Sequence, residues 1–441
     1  MIDLEDKILG SWLGMAVGDA MGQSVKGLKP ETVKQYFKQV DGYKDVRPYI
    51  GKGIKRFRMP GLYGAPTQMA LAVADVLLKT KKPDGGKICH QLLELSLHGP
   101  ENYFGVYRRP EGCFYKNLQT LPHRSDPLIA DTATAFGTYA VMAVPLALHQ
   151  RPQGLLKVCS ATALLMSRHP WEIIGTVLLG FLVAEFLTCE PPGEEETSGA
   201  PRDLILRAAK FCQEAEDALQ AGHPELWGEA ERDANAMSKT FTDLHQNYAD
   251  FPQASQWIAA NASSYSKIEI VHATQGYILT LLPLAVLLMV DSPPNFSQVL
   301  TRTLNLGREA DKLGAWVGAM AGAWHGLQSI PQDWQSGLVN GKEIRLRGQA
   351  LERRRLPGKA KLLLEMELGL TQKEAEERRR FLPKETQKAP KKGASPEDLW
   401  EAEDPMAQLR EDPQKKRQFE RDKSRKKRDR RQHPGFLDED E

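Results

Sequence analysis

The sequence predicts an all-α fold, and three observations carry that prediction. Apolar residues recur with the 3.6-residue period of a helix through most of the first 355 positions. Strand signals are confined to a short stretch around Lys52–Met59. Two glycine ladders, Gly10–Gly14–Gly18–Gly22 and Gly314–Gly318–Gly322–Gly326, step by four and so lie near one face of a helix each. An interior glycine costs about 1 kcal/mol of helix stability against alanine. Close backbone approach to another helix or to a ligand is the usual gain that offsets it.

The elements follow in order. Apolar-faced segments run over Leu4–Met21, Thr67–Leu78, Thr132–Leu148, Leu155–Met166, Trp171–Leu187, Leu204–Leu219, Gly276–Val290, Phe296–Leu306 and Leu313–Gly326. Turn chemistry marks loops at Lys81–Gly86 (KKPDGG) and Glu190–Pro201. Glu185 interrupts the apolar stretch Ile173–Leu187 and Pro283 interrupts Gly276–Val290. Both are short for a bilayer span, so they read as buried core helices with no membrane role. One helical domain over 1–355 accounts for these segments.

Past residue 355 the character changes. Residues 371–441 hold 20 basic and 18 acidic side chains in 71 positions, against 39 and 39 in residues 1–370. The formal charge of +2 therefore averages a neutral body and a charge-dense end. Thr371-x-x-Glu374 reads as a capping box, and Ser395-Pro396-Glu397-Asp398 as a second helix start. Neither has a wide apolar face. Residues 356–441 are thus expected to be a charged, low-complexity, largely disordered extension. Lys415–Arg431, with eleven basic residues in seventeen, reads either as a solvated tail or as a contact for nucleic acid or an acidic protein. Five widely spaced cysteines without a CxxC pair, behind an N-terminus lacking a basic and apolar leader, read as reduced thiols in the cytoplasm.

Four segments carry a resemblance: GSWLGMAVGDAMG at 10–22, GLYGAPTQMALAVADVLL at 61–78, MAVPLAL at 142–148, and NLGREADKLGAWVGAMAGAWHG at 305–326. In order and spacing they resemble the ADP-ribosylglycohydrolases, over roughly residues 5–335. The resemblance implies an ADP-ribosylglycohydrolase-like all-α domain. In active members it implies a binuclear magnesium site and cleavage of the N- or O-glycosidic bond between ADP-ribose and an acceptor. Mg²⁺ takes about six hard oxygen ligands, which carboxylates and hydroxyls supply.

The same comparison shows where the pattern departs. The family's Thr-Asp-Asp before Thr-Gln-Met is here Gly64-Ala65-Pro66, which offers no side-chain oxygen. The family's Gly-Gly-Asp-x-Asp-Thr is Gly307-Arg308-Glu309-Ala310-Asp311-Lys312, with an ammonium at the last position. A glutamate usual after GDAMG is Lys26, and Asn-Gly-x-x-Met-Arg becomes Gly137-Thr138-Tyr139-Ala140-Val141-Met142. The expectation is therefore that no metal binds, with Glu309 and Asp311 as vestigial acids neutralised by Lys312, Lys26 and Arg308.

Further candidates for contact with an ADP-ribose-like nucleotide are Asp19, Thr67, Gly137, Thr138, Lys312, Arg108 and Arg109. Asp19 reads either as a substrate contact or as a carboxylate capping a helix or turn. Arg108 and Arg109, with Tyr103, Phe104, Tyr107 and Tyr115, read either as a base-stacking and phosphate-holding loop or as loop packing. His169 reads as a capping histidine or a substrate contact, and His272 and His325 as helix histidines. Three functions remain open: a non-catalytic binding or scaffold module, a metal-independent hydrolase using Glu309 or Asp311 as acid or base, and an interaction protein working through its tail.

Overall fold

In a computed structural model the described residues are 2–381, without 51, 53, 55–56, 102, 111–113, 115–117, 119–134, 136, 192–199, 228–232, 248–249, 267–268 and 293–294. The helices among them are α1 (Leu4–Gly22), α2 (Pro30–Phe37), α3 (Ala65–Lys79), α4 (Gly85–Leu97), α5 (Ala143–Leu148), α6 (Pro152–Met166), α7 (Pro170–Thr188) and α8 (Asp203–Gly222). They continue with α9 (Ala236–Asn247), α10 (Phe251–Ser264), α11 (Ile278–Asp291), α12 (Phe296–Asn305), α13 (Ala310–His325), α14 (Gln332–Gly337), α15 (Gly341–Leu351) and α16 (Leu363–Phe381). No sheet forms among the described residues. Near the weak strand signals at Lys52–Met59, the described residues hold an isolated bridge between Ile50 and Ile54.

The centre of the fold is the pair α1 and α13, and the glycine ladders are its seam. They run antiparallel, rung against rung. A Cβ on Gly10 would lie 2.4 Å from the Gly322 carbonyl oxygen, one on Gly14 2.2 Å from that of Gly318, and one on Gly18 1.9 Å from that of Gly314. Only hydrogen fits there, so backbone meets backbone, and this contact offsets the poor helix propensity of glycine. Every residue of α1 from Lys7 to Gly22 is buried. Such a helix has no solvent face, and other helices enclose it. Trp12 ties it to α15 through Nε1–H donating to the Ile344 carbonyl at 2.9 Å.

Helix α7 is long and apolar enough to cross a membrane by length and composition, but 78% of its apolar window is buried inside the bundle. It is a core helix beside α13 and α6. Pro283 sits inside α11, which remains helical and buried from Ile278 to Val290.

Four local expectations change. KKPDGG is partly a helix start, because Asp84 accepts from the Lys87 amide at 3.0 Å and caps α4. Thr132–Leu148 is not one helix in its described part: Thr138–Val141 forms a 3₁₀ turn and α5 follows. His272 is exposed and lies before α11, on no helix. Helix α16, past residue 355, lies in the same compact unit as these helices. Thr371 is no cap there: it lies in the middle of α16, fully buried. The second helix start at Ser395, the basic run Lys415–Arg431 and Tyr115 lie outside the described residues.

Candidate functional site

The ladders also assemble the site. Antiparallel packing sets the C-terminal end of α1 beside the N-terminal end of α13, where a Cβ on Gly22 would lie 2.6 Å from the Asp311 Cα. The chain leaving α1 then pairs with the chain entering α13: the Gly27 amide donates to the Arg308 carbonyl at 2.7 Å and the Arg308 amide to that of Leu28 at 2.8 Å. This pairing carries Lys26 to Asp311. Gly307 and Arg308 both take left-handed backbone to make the turn, with φ of 64° and 53°.

The lysines occupy the acids. The Lys26 ammonium lies 2.6 Å from Asp311 Oδ2, with Asp311 fully buried and the Lys26 side chain 17% exposed. Lys312, expected to neutralise the acids of its motif, meets Glu309. Its ammonium lies 2.8 Å from Glu309 Oε2, one helical turn back, with Lys312 itself buried. Adjacent helix residues point about 100° apart, whereas residues three apart meet. Arg308 pairs through its backbone, and its guanidinium is held below its ordinary range by burial.

Asp19 caps α3. Its Oδ2 accepts from the amides of Gly64 and Thr67, each at 3.0 Å, and from the Thr67 hydroxyl at 2.7 Å. Both readings of Asp19 thus meet in one place: it caps a helix, and that helix start is the altered Gly64–Pro66 segment. Burial first, and the charge of Asp311 second, raise its carboxyl to about 6, while Thr67 and Gln23 pull it back.

Gln23 is the residue that sequence reasoning missed. Its Nε2 donates to Asp19 Oδ1 at 2.7 Å and lies 3.4 Å from Asp311 Oδ2, bridging two buried carboxylates. The same nitrogen lies 2.3 Å from where a Cβ on Gly64 would stand. Gln23 therefore fills the volume a side chain at 64 would need. The signal was present, since Gln23 follows Asp19 by four residues and so shares its helix face.

Other candidates fall elsewhere. Gly137 and Thr138 are buried at the start of the 3₁₀ turn packed on α3, with the Thr138 hydroxyl donating to the Ala135 carbonyl at 2.8 Å. Among the described residues no hydrogen bond joins them to Asp19 or Asp311. Arg108 and Arg109 pair with carboxylates of α16, Glu367 and Glu374. His169 stands at the N-cap position of α7, its amide donating to the Ser167 hydroxyl at 3.0 Å. His325 ends α13, where burial and Lys7 lower it to about 4.

Among the described residues, the donor set does not suit a pair of magnesium ions. Positions 64–66 present a glycine, an alanine and a proline. Both Asp19 oxygens accept N–H or O–H groups, and the oxygens of Asp311 and Glu309 nearest the centre face ammonium groups. A divalent cation needs about six oxygens and would meet two fixed positive charges instead.

Against known proteins, the family described as ADP-ribosylglycohydrolase matches residues 1–361. The chain is similar to ADP-ribosyl-[dinitrogen reductase] glycohydrolase of Rhodospirillum rubrum, 25% identical over 350 residues, covering 78% of this chain and 95% of that protein. Its fold is similar to a solved chain titled ADP-ribosylglycohydrolase-related protein complex, with a TM-score of 0.54 at 23% identity, covering 80% of this chain and 98% of the other. With residues 1–361 matched by that family, the chain belongs to the ADP-ribosylglycohydrolase family.

Proposed function

We propose that this chain keeps the ADP-ribosylglycohydrolase fold as a non-hydrolytic module that binds an ADP-ribose-like nucleotide or serves as a scaffold. The observation that carries the reading is the pair of internal ion pairs, Lys26–Asp311 at 2.6 Å and Lys312–Glu309 at 2.8 Å. Fixed ammonium groups cannot activate water as a divalent cation does, since they hold no aquo ligand to acidify. They can still neutralise acids that would repel a diphosphate. The relative from Rhodospirillum rubrum carries a name that makes it an ADP-ribosyl glycohydrolase, and this supports ADP-ribose as the ligand class to test.

The test uses the full chain with an ADP-ribosylated protein as substrate, with millimolar Mg²⁺ or with chelator, scored for released ADP-ribose. Calorimetric titration of ADP-ribose in chelator runs beside it. The expected outcome is binding without release in either condition. Mg²⁺-dependent release would refute the module reading, and metal-free release would favour Glu309 or Asp311 as acid or base.

A further inference from the structure

Helix α16 begins at Leu363, just past the end of the family match at residue 361. Its docking is half polar: the buried residues are Leu363, Met366, Glu367, Thr371, Glu374 and Ala375. Glu367, Thr371 and Glu374 stand at i, i+4 and i+7, on one face. Glu367 accepts from the Tyr63 hydroxyl at 2.6 Å and from Gln68 Nε2 at 2.8 Å, and pairs with Arg108 at 2.8 Å. The Thr371 hydroxyl donates to the Val106 carbonyl at 2.6 Å and accepts from Arg108 at 2.9 Å. Glu374 pairs with Arg109 at 2.6 Å.

Charge decides what this face can accept. The body presents Arg58, Arg108 and Arg109, with Arg58 and Arg108 buried. Burial alone would push the Glu374 carboxyl up, but Arg109 and Arg108, with Arg58 behind them, hold it below the usual carboxylate range. Guanidinium groups withdrawn from water require anionic partners, and α16 brings two. Arg109 also takes left-handed backbone, φ 55°, to aim at Glu374.

The face is continuous with the site. Arg108 Nε donates to the Tyr63 carbonyl at 2.9 Å, its carbonyl accepts from the Ala65 amide at 3.1 Å, and its amide donates to Gln68 Oε1 at 2.7 Å. The Tyr63–Gln68 turn is thus clamped between Arg108 and Asp19. Meanwhile α16 carries Gly369 in its interior with nothing within 4 Å of a Cβ there, so that glycine weakens the helix and is not needed for packing.

We propose that Tyr63, Gln68, Val106, Arg108 and Arg109 form a receptor face for an acidic helix of pattern Glu-x3-Thr-x2-Glu, filled in cis by α16, whose docking holds the Tyr63–Gln68 turn beside Asp19. This is an interaction separate from nucleotide binding. The helix is a detachable ligand of the family domain, recognised by its polar face more than by apolar area.

The test is hydrogen exchange on the full chain, wild type and Glu367→Gln/Glu374→Gln. In the wild type, 363–381 should open together with 63–68 and 103–109, before α1 and α13. In the variant those three segments should exchange roughly a hundredfold faster, as when one partner of a buried pair is lost, while α1 and α13 keep their protection. Excess peptide 363–381 should restore protection at 63–68 in the variant, and a peptide carrying both glutamines should not. Exchange of 363–381 only in step with α1 and α13 overturns the proposal, as does a variant in which 63–68 is unaffected or unrescued by the peptide. Should the double variant not fold, the wild-type exchange order and the milder Thr371→Val decide. No readout involves ADP-ribose or metal, so failure here leaves the module reading to its own test.

Discussion

Replacing Lys26 with methionine keeps most of the stem and removes the ammonium that faces Asp311. At 2.6 Å and an effective dielectric near 20, the Coulomb attraction lost is about 6 kcal/mol. Much of that is offset in the wild type by the cost of withdrawing lysine from water, a cost reduced because its side chain keeps 17% exposure. Removing one partner of a buried pair typically costs about 3–5 kcal/mol, and the partly wet lysine puts this case near about 3 kcal/mol. What makes the cost real is the residue left behind. Asp311 is fully buried, its Oδ1 has no hydrogen-bond partner, and Oδ2 would keep only the 3.4 Å approach of Gln23. The assay is urea unfolding of wild type, Lys26→Met, Asp311→Asn and the double variant. The double variant should recover at least half of the Lys26→Met loss, since a neutral amide no longer demands a cation. A Lys26→Met loss below about 1 kcal/mol, the range of exposed pairs, would show that the pair does not shape this centre, and the argument from occupied acids would fail.

Lys312→Ala should cost about 3 kcal/mol by the same reasoning, because the lysine is buried against Glu309; a loss below about 1 kcal/mol in thermal melts would contradict it. Asp19→Asn should change the pH dependence. The wild-type carboxyl is raised to about 6 from 3.8, so its contribution to stability is present below pH 3.8 and falls as pH rises to 6, by about 3 kcal/mol in all. The asparagine variant should gain on wild type over that window, and a difference constant from pH 4 to 7 would refute the assignment. Gly18→Ala places a Cβ 1.9 Å from the Gly314 carbonyl oxygen and should cost about 2 kcal/mol or more, whereas Gly369→Ala meets nothing and should add about 0.5–1 kcal/mol. Equal effects in denaturant titrations would deny the seam its role. Finally, Gly64→Thr, Ala65→Asp, Pro66→Asp and Lys312→Thr should not yield Mg²⁺ stabilisation until Gln23→Ala clears the volume and Lys26→Glu removes the cation. The six-fold variant, melted with and without Mg²⁺ at a hundred times its dissociation constant, should gain about 2.7 kcal/mol.

The sequence by itself determined the all-α class and most of the helices. Helical periodicity is a local property, and a glycine every four residues marks close backbone approach to another helix or a ligand, so both ladders were legible as contact faces, while their pairing with each other across some 300 residues was not. The resemblance singled out Asp19, Gly64–Thr67 and Asp311, and the fold brings these residues together. Tertiary structure alone decided who pairs with whom. Lys312 turned to Glu309 because residues three apart on a helix meet, and Asp311 received Lys26 from the far strand of chain that the seam brings alongside. No spacing revealed that Gln23 would fill the space above Gly64, a matter of volume between two helices. The greatest departure was at α16. Judged by its own apolar face it was expected to stay disordered. Guanidinium contacts from Arg108 and Arg109 give Glu367, Thr371 and Glu374 partners that only the folded body can present, and so a charged sequence became a docked helix.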